Sequence, residues 1–421
     1  MDDREEKIVA AVESMENDII DLTCSLVEEA STLMQEASVL ELMEKKLASL
    51  GLEPVKVSID PEKLSGHPGW APTLWSYENR YNLVATRPAD KEVGRSALFN
   101  GHLDVVSPEP LEMWKQDPFK PLIKDGWLYG RGGGDMKAGV AAMCYAVKAV
   151  EKAGFGIGAP VTIETVIEEE ASGNGALACR DAGIGAEAVL IPEPFGPTIE
   201  TTQVGVIWFR VSLPGVAKHA LETHSGVNAI EKCYPLFMAL RNLEESLNHP
   251  IHPAFRHLEH PINLNIGIMK AGDWPSTVPA MAEFHCRLGF FPGITFEEIR
   301  GRVVKAIEET ASSDEWLAQN PPQVEFYGFR SEGHSFERDL PAFNILNDCH
   351  KSLTGRDAEE FASTATTDLR AFVHFGQGQA TCFGPVAENI HGSNERVNLA
   401  SVIHTATVYA LFLSRWCGLV E

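Results

Sequence analysis

Ala97-Leu98-Phe99-Asn100-Gly101-His102-Leu103-Asp104-Val105-Val106 is an apolar run that ends in a histidine and an acid. On an extended strand, residues two apart share a face, so His102 and Asp104 project together while Leu103 and Val105 turn to the core. The pattern reads as a ligand and its orienting carboxylate. A second stretch, Gly130-Arg131-Gly132-Gly133-Gly134-Asp135-Met136-Lys137, is a loop that opens a helix at about Asp135, continuing through Ala138-Gly139-Val140-Ala141-Ala142-Met143. Glycines let the backbone crowd a small buried object, and Asp135 carries charge to it. That object is read as a pair of metal ions.

Outward from these motifs, strands alternate with helices. Strands are expected at 82–86, 96–106, 161–167 and 188–192, with helices at 136–152 and 176–181. This alternation predicts an α/β sheet with helices on both faces and functional groups beyond the strand ends. Before it, Ile8, Val9, Val12 and Met15 suggest one helix, and Leu40, Leu42, Met43, Leu47 and Leu50 another that ends at Gly51. The Pro- and Gly-rich text from Pro54 to Trp75 reads as an ordered loop.

Between residues 203 and 329 the order changes to strand, helix, strand, strand, helix, strand. That is a split βαβ, ferredoxin-like unit large enough to form its own domain. It predicts an inserted domain at 203–329 between two parts of a first domain, 1–202 and 330–421. The second part is expected to hold a helix at 340–353, a strand at 381–383, a loop carrying His391 and a closing helix at 400–416.

The chain has 421 residues, enough for about two or three domains. Its 59 acidic and 35 basic residues give a net charge of -24, which repels phosphate backbones and argues against nucleic acid as a partner. The eight cysteines are scattered with no C-x-x-C pair, so they read as reduced core thiols. No apolar leader opens the chain and no run of 18 apolar residues occurs, which predicts a cytoplasmic protein without a membrane partner.

Further acids and histidines join the two opening motifs. The strand at 161–167 runs into Glu168-Glu169-Glu170, the strand at 188–192 ends at Glu193 between two prolines, and His391 lies in Asn389-Ile390-His391-Gly392-Ser393-Asn394-Glu395. Three adjacent carboxylates at the end of a buried strand are costly unless a cation neutralises them. Imidazole and oxygen donors without a thiolate suit zinc, and also manganese or cobalt, in a catalytic site. Taken singly, His102 or His391 reads as a core histidine and Asp135 as a helix N-cap. No structural requirement places so many such groups together at strand ends. The histidine-dense piece from His249 to His260 reads as a solvated linker.

These motifs resemble those of the co-catalytic metallohydrolase family of acetylornithine deacetylase, succinyl-diaminopimelate desuccinylase, aminoacylase-1 and carboxypeptidase G. Gly-His-x-Asp, Gly-Arg-Gly-x-x-Asp-Met-Lys, Glu-Glu, Glu-Pro, a lid His-Ala and His-Gly-x-Asn-Glu occur here in the family's order over nearly the whole chain. The resemblance implies that His102, Asp135 and Glu193 hold one ion and Asp135, Glu170 and His391 the other, with Asp135 bridging. Two such cations acidify a shared water and polarise a carbonyl. Glu169 then corresponds to the general base and acid. Asp104 corresponds to the residue that orients His102 through its second ring nitrogen. His219, in Lys218-His219-Ala220, matches the lid histidine that donates to the oxyanion and, in dimeric members, reaches across from the partner subunit. Arg287 and Arg370 match positions where relatives set arginines against a substrate carboxylate. A homodimer through the inserted domain is a further implication.

Departures bear on the substrate. Ser107 stands where relatives usually carry proline, Ala138 where glycine is common, and Trp274-Pro275-Ser276-Thr277-Val278-Pro279 replaces an asparagine-bearing loop. The sequence is most similar to the acetylornithine deacetylase-like branch, whose members split diverse amides. The leading expectation is hydrolysis of the amide of a small N-acylated, carboxylate-bearing compound. An aminohydrolase or deformylase acting on an aromatic or heterocyclic amine or amide is the alternative. A silent binding protein would need a broken metal set or a missing Glu169, and the chain has neither. No G-x-S-x-G elbow is present, and the Gly130 loop lacks P-loop order.

Overall fold

Apolar spacing at the N-terminus builds three helices, Asp3–Glu13, Glu16–Glu28 and Ala37–Ser49, in a computed structural model that describes residues 1–421. The sequence reading anticipates the first and third. It misses Glu16–Glu28, where Asn17, Asp18, Asp21, Thr23 and Ser25 are weak helix formers. Packing overrides propensity there, because Ile19, Leu22, Leu26 and Val27 are buried. The segment expected as loop also differs: Pro54–Ser58 is a strand paired antiparallel with Tyr81–Arg87, and Pro61–Leu64 is a helical turn capped by Asp60.

A six-stranded mixed sheet organises the first core, in the order Pro54–Ser58, Tyr81–Arg87, Val161–Val166, Ala97–His102, Ala188–Ile191 and Gln379–Cys382. The first three strands pair antiparallel and the remaining pairs are parallel. Ala97–His102 and Val161–Val166 are buried at every residue, as expected of central strands covered on both sides. Helices Ala138–Lys152 and Leu399–Trp416 pack on each other, and Asn174–Asp181 packs on Leu369–Phe375.

A second hydrophobic core is drawn entirely from residues between Val204 and Phe329. Its four-stranded antiparallel sheet runs Leu264–Ala271, Met281–Phe290, Gly205–Pro214, Gln323–Ser331, with helices Ala229–Leu247 and Phe296–Ser312 packed together. The two halves touch where Gly328 donates its amide to the Pro72 carbonyl at 2.7 Å. Gly328 has φ +62, and a Cβ there would fall 2.9 Å from the Ala171 carbonyl oxygen, just past the Glu168-Glu169-Glu170 run.

Candidate metal centre

Strand Ala97–His102 ends at the histidine itself, and Asp104 lies in the loop beyond it. This corrects the expectation of a strand continuing to Val106. The His102 Nδ1 hydrogen bonds the backbone oxygen of Asp104 at 2.8 Å, whereas its distance to the Asp104 carboxylate is 3.8 Å. The carboxylate is committed elsewhere, accepting the amides of Glu169 at 3.3 Å and Glu170 at 3.1 Å. Asp104 therefore orients the imidazole through its carbonyl and ties the Glu169-Glu170 turn to the same loop. Burial pushes its carboxyl up to about 8.

Asp135 does not open a regular helix. Residues Gly133–Lys137 form a wide turn with extended backbone at Asp135, and the α-helix begins at Ala138. The glycines are required by close approach: a Cβ on Gly132, at φ +77, would fall 2.4 Å from Val105, and one on Gly134 would fall 2.6 Å from Ala387. Glu395 closes the turn, with one carboxylate oxygen accepting the amides of Gly134 at 2.9 Å and Asp135 at 3.0 Å. Its other oxygen pairs with the buried Arg131 guanidinium at 2.6 Å.

The turn delivers the Asp135 carboxylate between two imidazoles. One oxygen lies 3.1 Å from His102 Nε2 and the other 3.4 Å from His391 Nε2. Glu170 stands 3.0 Å from His391, and donor atoms of His102, Asp135 and Glu170 all lie within 4.8 Å of one another. Glu169 comes within 3.9 Å of His102, and Glu193, after strand Ala188–Ile191, is buried beside them. One oxygen of Glu169 and one of Glu193 are buried without any partner. Burial, and then the neighbouring carboxylates, hold both carboxyls well above the usual range. The Glu170 field raises His391 to about 11. Several carboxylates and two imidazoles with orphaned buried oxygens fit divalent cations, which would reverse the repulsion.

The remaining expected site residues lie apart. His219 is exposed on the inserted segment, where its Nδ1 accepts the Leu221 amide at 3.1 Å, and it makes no hydrogen bond or ion pair with the cluster. Arg287 is largely buried, donates to the Thr364 carbonyl at 3.0 Å and has no carboxylate partner; burial lowers it to about 10. Arg370 is buried, and both terminal nitrogens lack partners.

Sequence reasoning missed the support beneath Glu169 and Glu170. Glu168, at φ +74 and fully buried, accepts from Trp75 Nε1 at 2.9 Å, Tyr77 at 2.9 Å and Ser172 at 2.6 Å, and pairs with Arg80 at 2.5 Å. Arg80 also pairs with the buried Glu36. Only the apolar strand before Glu168 hinted at this, by marking three acids that could not all face water.

The sequence and the fold both have known relatives. The family model for peptidase family M20/M25/M40 matches residues 98–415. An N-formyl-4-amino-5-aminomethyl-2-methylpyrimidine deformylase of Halalkalibacterium halodurans is 26% identical over 82% of this chain and 85% of its own. A succinyl-diaminopimelate desuccinylase of Bordetella petrii is 26% identical over 78% of this chain and 84% of its own. Among solved structures, a di-peptidase of Saccharomyces cerevisiae superposes with a TM-score of 0.80 at 13% identity, covering 98% of each chain.

Proposed function

The chain belongs to peptidase family M20/M25/M40, and from that premise we propose that it hydrolyses the amide C–N bond of a small N-acylated, carboxylate-bearing compound. The observation that carries this reading is the Asp135 carboxylate shared between His102 and His391, with Glu169 beside it holding an unpartnered buried oxygen. His102, Asp135 and Glu193 would hold one divalent ion, and Asp135, Glu170 and His391 the other. Zinc suits the donors best, and manganese or cobalt is compatible. Bound there, divalent cations supply polarisation of the substrate carbonyl and acidification of water toward neutrality.

The chain's own residues do the rest. Glu169 takes the proton of the attacking water and returns it to the leaving amine. Asp104 keeps the His102 ring oriented and the Glu169-Glu170 turn in place. His219 donates to the developing oxyanion, and its exposed place away from the cluster supports its acting on a second copy's site. Such a homodimer would form through the inserted segment, where strand Leu264–Ala271 is a sheet edge and Tyr234, Met238, Ile268 and Met269 are exposed apolar residues. Arg287, a buried cation without a carboxylate partner, receives the substrate carboxylate. Arg370, which the family resemblance sets with it, is buried with both terminal nitrogens unpartnered. No helix is long and apolar enough to cross a membrane, and a cytoplasmic location is proposed.

A second reading draws on the pyrimidine deformylase relative: removal of a formyl group from an aromatic or heterocyclic amine by the same residues. A hydrolysis screen decides between them. Protein reconstituted with zinc, manganese or cobalt is assayed against N-acetyl, N-formyl and N-succinyl amino acids and against formylated aryl and heteroaryl amines. Amine release from aliphatic N-acyl amino acids supports the first reading. Release confined to the aromatic formamides establishes the second, and no release from either class overturns both.

A further inference from the structure

The histidine-dense piece from His249 to His260 reads in sequence as a solvated linker, yet the structure pins it at both ends. It leaves helix Ala229–Leu247 and leads into strand Leu264–Ala271. Asn248, buried at the helix end, accepts the Ile262 amide at 2.9 Å and donates to the carbonyls of Ile262 at 2.9 Å and Glu244 at 3.0 Å. Phe255, midway along, is buried in the second core. The loop therefore closes on itself and returns His260 to the helix end from which His249 departs.

Both imidazoles meet Glu245 in the last turn of that helix. Glu245 Oε1 lies 3.0 Å from His249 Nε2, and Oε2 lies 3.6 Å from His260 Nε2. No lysine or arginine pairs with this carboxylate. His260 Nε2 also stands 3.1 Å from the Asn248 amide nitrogen, whose two hydrogens are directed at carbonyls, so the imidazole lone pair is left for a cation. His252 is spent otherwise: its Nδ1 accepts the Ala254 amide at 3.3 Å and its ring packs on Phe255 and Phe291.

Two imidazole nitrogens and one carboxylate are a zinc-type donor set. Zinc held at about 2.0–2.1 Å by each donor sets neighbouring donors roughly 3.3 Å apart, a value that the two observed separations bracket. The carbonyl end of a helix favours a cation as well. The side chains of Glu245, His249 and His260 are 64%, 68% and 41% exposed, so an ion reaches them and they can turn to close around it, with water completing the coordination. None of the three bonds to the Asp135 cluster.

We propose that Glu245, His249 and His260 form a separate cation site that takes one zinc-like divalent ion through the carboxylate and the two Nε2 atoms, stapling the loop to the helix end. The site stands on these three residues and is independent of the hydrolytic reading.

The test is equilibrium dialysis of the full-length protein against graded free zinc, with bound zinc counted by elemental analysis. Glu245→Gln and the double variant His249→Ala/His260→Ala are each expected to hold one zinc per chain fewer than wild type. His391→Ala, which alters the Asp135 centre, is expected to keep the ion that the double variant loses. Each single histidine variant should weaken that ion at least about tenfold. Equal zinc content in wild type and the double variant at every concentration up to ~1 mM overturns the proposal. So does unchanged affinity in any single variant, which removes that donor from the set. All three side chains are exposed, so the variants should keep the wild-type urea midpoint in the absence of zinc.

Discussion

The carboxylate of Glu395 accepts the backbone amide of Asp135 at 3.0 Å across 260 residues of chain, while pairing with Arg131 at 2.6 Å. It thereby fixes the peptide that aims the proposed bridging carboxylate. Glu395→Ala leaves Arg131 buried and uncompensated and frees the amides of Gly134 and Asp135. Unfolding in urea is expected to show a loss of about 3–5 kcal/mol, with bound metal reduced in elemental analysis. A variant with unchanged midpoint and full metal content would show that the turn holds its shape without Glu395.

Glu169 has the complementary signature. It lies beside the cluster but outside the proposed ligand set, so Glu169→Ala is expected to lower kcat by about 10²–10⁴ while metal content stays nearly unchanged. Turnover retained with metal bound would remove it from the proton-transfer role.

What could be read in advance divides along sequence distance. His102, Asp135, Glu193 and His391 each sit in a local motif whose glycines, prolines or strand ending announce a special position, so the cluster could be assembled from short stretches. The alternation of strands and helices, and the change of order after Gln203, likewise follow from local periodicity. What escaped depends on partners far apart in the chain. Spacing sets Asp104 beside His102, yet its carboxylate serves the amides of Glu169 and Glu170, 65 and 66 residues away. Helix Glu16–Glu28 escaped because its polar residues mask a face that only packing reveals.

The cradle under Glu168 gives a prediction of this nonlocal kind. Trp75, Tyr77, Arg80 and Ser172 together hold a carboxylate whose backbone, at φ +74, turns the next two residues toward the cluster. Tyr77→Phe removes a hydroxyl that bonds both Glu168 and Asn174 at 2.9 Å, leaving the buried Glu168 short of a donor. A stability loss of about 1–3 kcal/mol is expected in urea unfolding, accompanied by lower kcat at unchanged metal content. Loss of stability without any change in kcat would confine the cradle to a folding role.

Acid sensitivity can be assigned to a named group outside the site. His334 is buried with both ring nitrogens unpartnered, and burial pushes its imidazole down to about 3, with His374 adding to the effect. The native protein thus refuses a proton that the unfolded chain accepts below its ordinary value of 6.5. The contribution is fully present above that value and is lost progressively as pH falls from there toward 3. At pH 5 the wild type should have lost about 2 kcal/mol through this histidine alone, relative to pH 7.5. His334→Leu removes the titration while keeping an apolar filling against Phe336, whose ring stacks on that of His334 at 5.4 Å between centroids. Urea midpoints at the two pH values should therefore fall less in the variant than in the wild type. Any loss of metal on acidification is common to both proteins and cancels in that difference. Equal falls would mean that His334 is protonated in the native state and that its burial does not govern acid stability.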